Sequence, residues 1–226
     1  MQILSDFSGV LAGGHTNFAK MVSAKFGVPA NLFDWYMDKK SPWLSQLYRG
    51  RVSENDFWSA MAGDSAEIAG KDGALDSETL KNLFHENMQK PIPGTLDVYK
   101  RIMYYPTKIG CGGRVGKGAP KFWIVTDGVA EMISAIHEWH PEVFDLIKNE
   151  FWSCRQDSTK ADSCFFHLLP KMVGSKDSAE LLLIDNNPRN VECATMAGIP
   201  AIRFINAEQL EAEMAQLGFV FYPKAA

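Results

Sequence analysis

The sequence predicts a three-layer, Rossmann-like α/β core whose parallel sheet is interrupted by an inserted helical bundle. Three observations predict it. Short apolar runs alternate with helical patterns along the second half of the chain. The stretch from about residue 16 to 90 carries several helix signals and no convincing strand. Three of the apolar runs end on residues with reactive side chains, at Asp6, Thr126 and Asp185. Strands separated by helices read as a parallel sheet covered on both faces.

The elements follow in order. Gln2–Phe7, Phe122–Thr126, Leu181–Ile184 and Ala201–Phe204 are strand candidates, with a weaker one near Glu150–Ser153. In the insert, Phe18, Met21, Val22 and Phe26 form one helical stripe ending at Gly27. Ser41-Pro42 opens a second helix carrying Trp43, Leu44, Leu47 and Tyr48, and Gly50 stops it. Ser53 with Asp56 resembles a capping box ahead of Phe57, Trp58 and Met61. Leu80, Leu83, Phe84 and Met88 close the bundle before Pro91-Ile92-Pro93-Gly94. Its aromatics read as bundle core rather than as a cofactor box. Later, Val129, Met132, Ile133 and Ile136 recur at helical spacing, as do Phe165, Leu168, Leu169 and Met172. The last helix has Asn206 as N-cap with Gln209 three residues on, then Leu210, Met214, Leu217 and a terminating Gly218. The expected division is a core of residues 1–15 and 91–226 with a helical cap at 16–90.

A chain of 226 residues buries a full core without disulfides or a structural metal. Its 46% hydrophobic and 22% charged residues exclude a disordered or collagen-like chain. A net charge of −4 argues against a general nucleic-acid binder. Cys111, Cys154, Cys164 and Cys193 show no metal-ligand or redox spacing and are expected as reduced thiols. No apolar run reaches the ~18 residues of a membrane span, and the first residues lack a signal-peptide pattern. A cytoplasmic protein is the expectation, without nucleic-acid or membrane partners, as a monomer or homodimer.

Four points of the chain read together as chemistry. Ile3-Leu4-Ser5-Asp6-Phe7-Ser8-Gly9 places Asp6 at a strand's carboxyl end, where open α/β sheets bind ligands. Trp123-Ile124-Val125-Thr126-Asp127-Gly128 places a hydroxyl at the end of another strand. Lys160 stands just ahead of the helix that includes Phe165. Leu183-Ile184-Asp185-Asn186-Asn187-Pro188-Arg189-Asn190 adds a second strand-terminal carboxylate.

This ordered set resembles the haloacid dehalogenase-like (HAD) superfamily, in the branch with a helical, C1-type cap between the first two motifs. The similarity includes Gly50-Arg51-Val52-Ser53-Glu54 in the cap, Trp139-His140-Pro141-Glu142 before the third motif, and Ala197-Gly198-Ile199-Pro200 after the fourth. It is similar above all to sugar-phosphate phosphatases and the N-terminal phosphatase domains of epoxide hydrolases. The resemblance implies a phosphatase acting on a small phosphorylated metabolite through an aspartyl-phosphate on Asp6. It implies Mg2+ held by Asp6, the Ser8 carbonyl and Asp185. Thr126, Asp127, Gly128 and Lys160 would bind the phosphoryl group, with Asn186, Asn187 and Asn190 in support.

The sequence departs from that pattern at three places, one of which, Ala161 in place of a proline after Lys160, affects loop rigidity more than chemistry. Ser8 stands where most phosphatases of the superfamily carry a second Asp as general acid, a group worth about 10²–10⁴-fold. Asn186 stands where a second acidic residue is frequent, which lowers the negative charge available to a cation. A dehalogenase- or phosphonatase-type hydrolase, and a HAD fold that binds a ligand or partner without turnover, are the alternatives these positions keep open. Trp43, Tyr48 and Arg49 are candidates to face the substrate from the cap. His15 near the hinge reads as structural, and His137, His140 and His167 have no ligand spacing. The Gly-, Lys- and Arg-rich run 108–121 matches neither phosphate-loop fingerprint and is expected as a surface loop at the sheet's amino edge.

Overall fold

A computed structural model describes residues 1–14, 18–27, 33, 36–37, 41–69, 75–110 and 114–224. Strand β1 (Gln2–Ser5) lies at the middle of a five-stranded parallel sheet. It pairs on one side with β4 (Lys121–Thr126) and on the other with β6 (Leu181–Asp185). β5 (Asn149–Trp152) flanks β4, and β7 (Ala201–Arg203) flanks β6, giving the order β5-β4-β1-β6-β7. The strand order reverses about β1, and ligands bind beyond the carboxyl ends at such a switch point. Register makes the placement unavoidable: Ser5 lies level with Ile124 and Ile184, so Asp6, Thr126 and Asp185 all emerge at one edge.

Both faces of the sheet are covered, and every residue of β6 is buried, as a doubly covered parallel strand requires. Ile3, Phe122, Ile124, Leu182 and Ile184 point into the larger core, which continues into the cap. Leu4, Val125, Leu181 and Leu183 point the other way, against Phe165, Phe166, Leu169 and Val173. That helix, Phe165–Met172, therefore buries a stripe shifted from the expected one, and Leu168 and Met172 are exposed. The sheet packs against its aromatic end, Phe165 and Phe166, which rotates the other two residues outward.

Between β1 and the next strand the chain builds the helical insert. Helices α1 (Phe18–Phe26), α2 (Pro42–Tyr48), α3 (Glu54–Ala69) and α4 (Ser77–Met88) follow the expected signals. Gly27 and Gly50 take positive φ at the helix stops, and Asp56 N donates to Ser53 Oγ. Phe18, Trp58 and Phe84 meet ring to ring with centroids 5.4–5.7 Å apart, so these aromatics form the bundle core. The two linkers to the core are hydrogen-bonded to each other: Gly13 N donates to the Lys90 carbonyl and Ile92 N to that of Leu11.

The sequence reading missed a second sheet. β2 (Ile102–Pro106) pairs antiparallel with β3 (Val115–Lys117) and with β8 (Val220–Phe221). The run 108–121 is thus in part a hairpin strand rather than a surface loop, while Cys111, Gly112 and Gly113 lie outside the described residues. It does stand at the amino edge, where Lys121 N donates to the Met1 carbonyl. The thiols of Cys154, Cys164 and Cys193 are free. Among the described residues no helix is long and apolar enough to cross a membrane.

Two outcomes test this packing. Phe18→Ala removes a fully buried ring and should lower stability by about 3–5 kcal/mol in urea denaturation. Glu54 is buried in the cap, where it accepts from Trp58 Nε1 and pairs with His85 and Lys81. Burial pushes its carboxyl up, but the bonds and charges of these partners prevail and hold it below the ordinary range. A depressed carboxyl stabilises the fold above its unfolded pKa, near 4.3, and that contribution is lost as pH falls through the folded value. Glu54→Gln should therefore lower stability at pH 7 and flatten its decline below about pH 4.5.

Candidate active site

Asp6 follows β1 directly, with its own N–H bonded to the Ile184 carbonyl at 2.8 Å and its Oδ1 accepting from Phe7 N. Beneath it, Tyr99 donates to Ser5 Oγ, and that hydroxyl donates to the Asp6 carbonyl. Asp185 ends β6 and is fully buried. Between the two carboxylates sits Lys160, whose Nζ is 2.9 Å from Asp6 Oδ1 and 2.7 Å from Asp185 Oδ2. Burial alone would lower the ammonium's hold on its proton; the negative charges of Asp185, Asp6 and Asp127 override it and raise the pKa well above its ordinary value.

The asparagines after Asp185 divide their work. Asn190 Nδ2 donates to Asp185 Oδ2, and Asn187 N donates to Asp185 Oδ1. The Asn187 side chain caps the helix Pro188–Met196 by accepting from Arg189 N. Asn186 lies over Gly9, where an added Cβ would stand 2.2 Å from its Nδ2. Gly9 (φ +86) is required there both for its backbone conformation and for this close approach.

On the β4 side, Thr126 is buried and lines an enclosed space with Phe7, Ser8, Tyr48, Met88 and Trp152. The Asp127 carboxylate accepts from Lys160 N at 3.0 Å, so it acts on the lysine's backbone. The Gly128 N–H is taken by Ser153 Oγ, which in turn donates to the Tyr48 carbonyl of the cap. Gly128 thus ties the strand end to the cap instead of offering its N–H to a phosphoryl oxygen. Ser8 Oγ faces Met88 Sδ at 3.8 Å. This space measures ≈ 20 Å³, room for about one water.

Of the cap candidates, Tyr48 reaches the site. Burial raises its phenol pKa, and the charges of Asp127 and then Asp6 raise it further. Trp43 is partly exposed on the cap surface. Arg49 turns to the loop that carries Lys160, donating to the Asp157 carbonyl and to the Asp162 carboxylate. His15 lies outside the described residues. His140 is buried and bonds the Met88 carbonyl through Nε2, a structural link between core and cap.

Sequence reasoning passed over Ser153 and Asp162. Asp162 Oδ2 accepts from Thr159 N at 2.9 Å. A carboxylate three residues after a Thr, reaching back to its N–H, is one half of a capping box, so that signal was present in Thr159-Lys160-Ala161-Asp162. Ser153 left none, because its bonds join two distant segments.

No protein-family model matches the chain, and no curated protein does. Among solved structures it is similar to a predicted HAD-like family hydrolase from Porphyromonas gingivalis, at 16% identity and TM-score 0.65, over 96% of each chain. A HAD family enzyme from Bacteroides thetaiotaomicron, in complex with magnesium and inorganic phosphate, matches at 14% identity and TM-score 0.56, over 91% of this chain and 94% of that one. L-2-haloacid dehalogenase from Xanthobacter autotrophicus, with chloropropionic acid covalently bound, matches at 16% identity and TM-score 0.58, over 97% and 84%. The fold is that of the HAD-like hydrolases.

The site's dependence on close packing is testable. A Cβ at Gly128 would lie 2.4 Å from the Trp152 ring, so Gly128→Ala should cost about 1–3 kcal/mol in the midpoint of chemical unfolding.

Proposed function

We propose that this protein is a hydrolase of small phosphate monoesters, assisted by magnesium, with Asp6 as nucleophile. The convergence of Asp6 and Asp185 on the Lys160 ammonium, at the carboxyl edge beside Thr126, carries the reading. A carboxylate oxygen of Asp6 attacks phosphorus, the bond to the leaving oxygen breaks, and the departing alkoxide takes a proton from water. Water then attacks the aspartyl-phosphate at phosphorus, freeing inorganic phosphate and restoring the carboxylate. The Lys160 ammonium and Thr126 hydroxyl meet the phosphoryl oxygens as charge redistributes. Asp127 and Asp185 act by holding Lys160.

The donors present fit magnesium in a modified form. Both oxygens of Asp185 already accept, from Lys160, Asn190 and Asn187 N. The cation would fall to Asp6, the Ser8 carbonyl and Asp185 Oδ1, which accepts the Asn187 amide and has a second lone pair, with the Asn186 side chain that lies over Gly9 in support. Magnesium is commonly held by one or two carboxylates together with substrate phosphates. When bound, it offsets the repulsion between an anionic nucleophile and an anionic phosphate. The magnesium and phosphate complex of the Bacteroides neighbour supports this pairing of ligands.

A second reading has its own support. The enclosed space is lined mainly by Phe7, Tyr48, Phe84, Met88, Val129 and Trp152, and Lys160 already supplies a cation beside Asp6. Such an apolar chamber suits displacement at a carbon bearing a halide, without metal. The dehalogenase neighbour points the same way.

Purified protein with magnesium should release phosphate from an aryl phosphate. Asp6→Asn should lower the rate by about 10³-fold or more, and chelation by EDTA should abolish it. Release that survives Asp6→Asn overturns the proposal, and chloride released from 2-chloropropionate in EDTA replaces it with the second reading.

A further inference from the structure

The segment that carries Lys160 has no regular structure between the short 3-10 turn Ser153–Arg155 and the helix Phe165–Met172. Its shape is set from two sides. From the core, Asp127 Oδ1 accepts from Lys160 N at 3.0 Å. From the cap, Arg49 follows directly on α2, and its side chain is mostly buried. Its Nη1 donates to the Asp157 carbonyl at 2.7 Å, its Nη2 to Asp162 Oδ1, and its Nε to Ser45 Oγ at 3.4 Å.

Asp162 passes this contact on. Its other oxygen accepts from Thr159 N, the amide next to Lys160. Asp157 has φ +50, a left-handed conformation rare for a residue with a side chain. In this conformation its carbonyl meets Arg49 and its carboxylate meets Arg51 at 2.7 Å. The Arg51 pair is largely exposed and adds little. Arg49 differs from it in burial and in gripping the loop at two acceptors with a planar fork, which lysine does not reproduce.

We propose that Arg49 is a positioning residue: it couples the seating of the cap to the placement of Lys160 between Asp6 and Asp185. The inference rests on the reading of Lys160 as the cation that meets the transferred group. With the cap seated, both anchors of the loop are engaged and the ammonium is aligned for reaction. With the cap lifted to admit substrate, Arg49 leaves Asp162 and Asp157, and the loop keeps only its core anchors. Lys160 thereby reaches its working position as the site closes over its ligand.

The experiment compares amide hydrogen exchange in the wild type, Arg49→Gln, Arg49→Lys, Asp162→Ala and the double variant Arg49→Gln/Asp162→Ala. In Arg49→Gln the amides of Thr159 and Lys160 should exchange about tenfold faster, while those of β1 and β6 keep their wild-type rates. Arg49→Lys should fall between the two, and it carries the test should Arg49→Gln fail to fold. Asp162→Ala should match Arg49→Gln at Lys160, and the double variant should add nothing there, since both act through one link. In steady-state hydrolysis of an aryl phosphate, Arg49→Gln should lower kcat by about 10–100-fold with KM within about twofold. Unchanged exchange at residues 159–160 overturns the proposal. So does exchange that accelerates equally through all cap helices, or a raised KM with kcat intact. A wild type that exchanges as expected but releases no phosphate overturns the phosphatase reading and leaves the coupling of Arg49 to the loop established.

Discussion

The Lys160 ammonium buried between Asp6 and Asp185 is the interaction on which the rest of the site depends. Two carboxylates at the ends of adjacent strands repel each other where little water remains to screen them. Burying three charges is itself costly, and the arrangement stands only because each is partnered. Lys160 meets both acids, Asn190 and the Asn187 amide complete Asp185, and the Phe7 amide supports Asp6. Truncating any one member strands a buried charge. The cluster therefore fixes the relative height of β1, β6 and the loop after β5 more tightly than backbone pairing alone.

That constraint shapes how the chemistry is shared. Most of the named groups serve the lysine: Asp127 holds its amide, Asp185 its ammonium, and Asp162 the residue before it. In the proposed reaction Asp6 and Thr126 are left to face the reacting group. The side of the chamber toward the cap is apolar and aromatic, so in the proposed reaction the polar sheet edge orients the substrate and the cap excludes water.

Much of the core was legible because its signals are local. Strands β1, β4, β6 and β7 are short apolar runs, and their carboxyl ends had to lie together once the sheet was parallel. The Asn206 cap and the Gly218 stop read directly, and Gln209 N does donate to Asn206 Oδ1. What was not legible depends on distant partners. β2, β3 and β8 have two to five residues each, and they acquire their identity only from one another. Leu168 and Met172 fit a helical period, yet the sheet selects the neighbouring stripe. Tyr48 and Arg49 are adjacent in sequence and face different targets, one the chamber and one the Lys160 loop. Which oxygen of Asp185 meets which donor depends likewise on distant partners, and spacing carries no such information.

The paired linkers between cap and core have a mechanical consequence. The outgoing strand at Leu11–Gly13 and the returning one at Lys90–Ile92 are laced by backbone bonds, with Asn87 Nδ2 adding a tie to the Gly14 carbonyl. Two tethers joined side by side resist torsion and yield to bending. For the opening of the cap proposed above, bending at this laced pair is the motion that its backbone bonds oppose least.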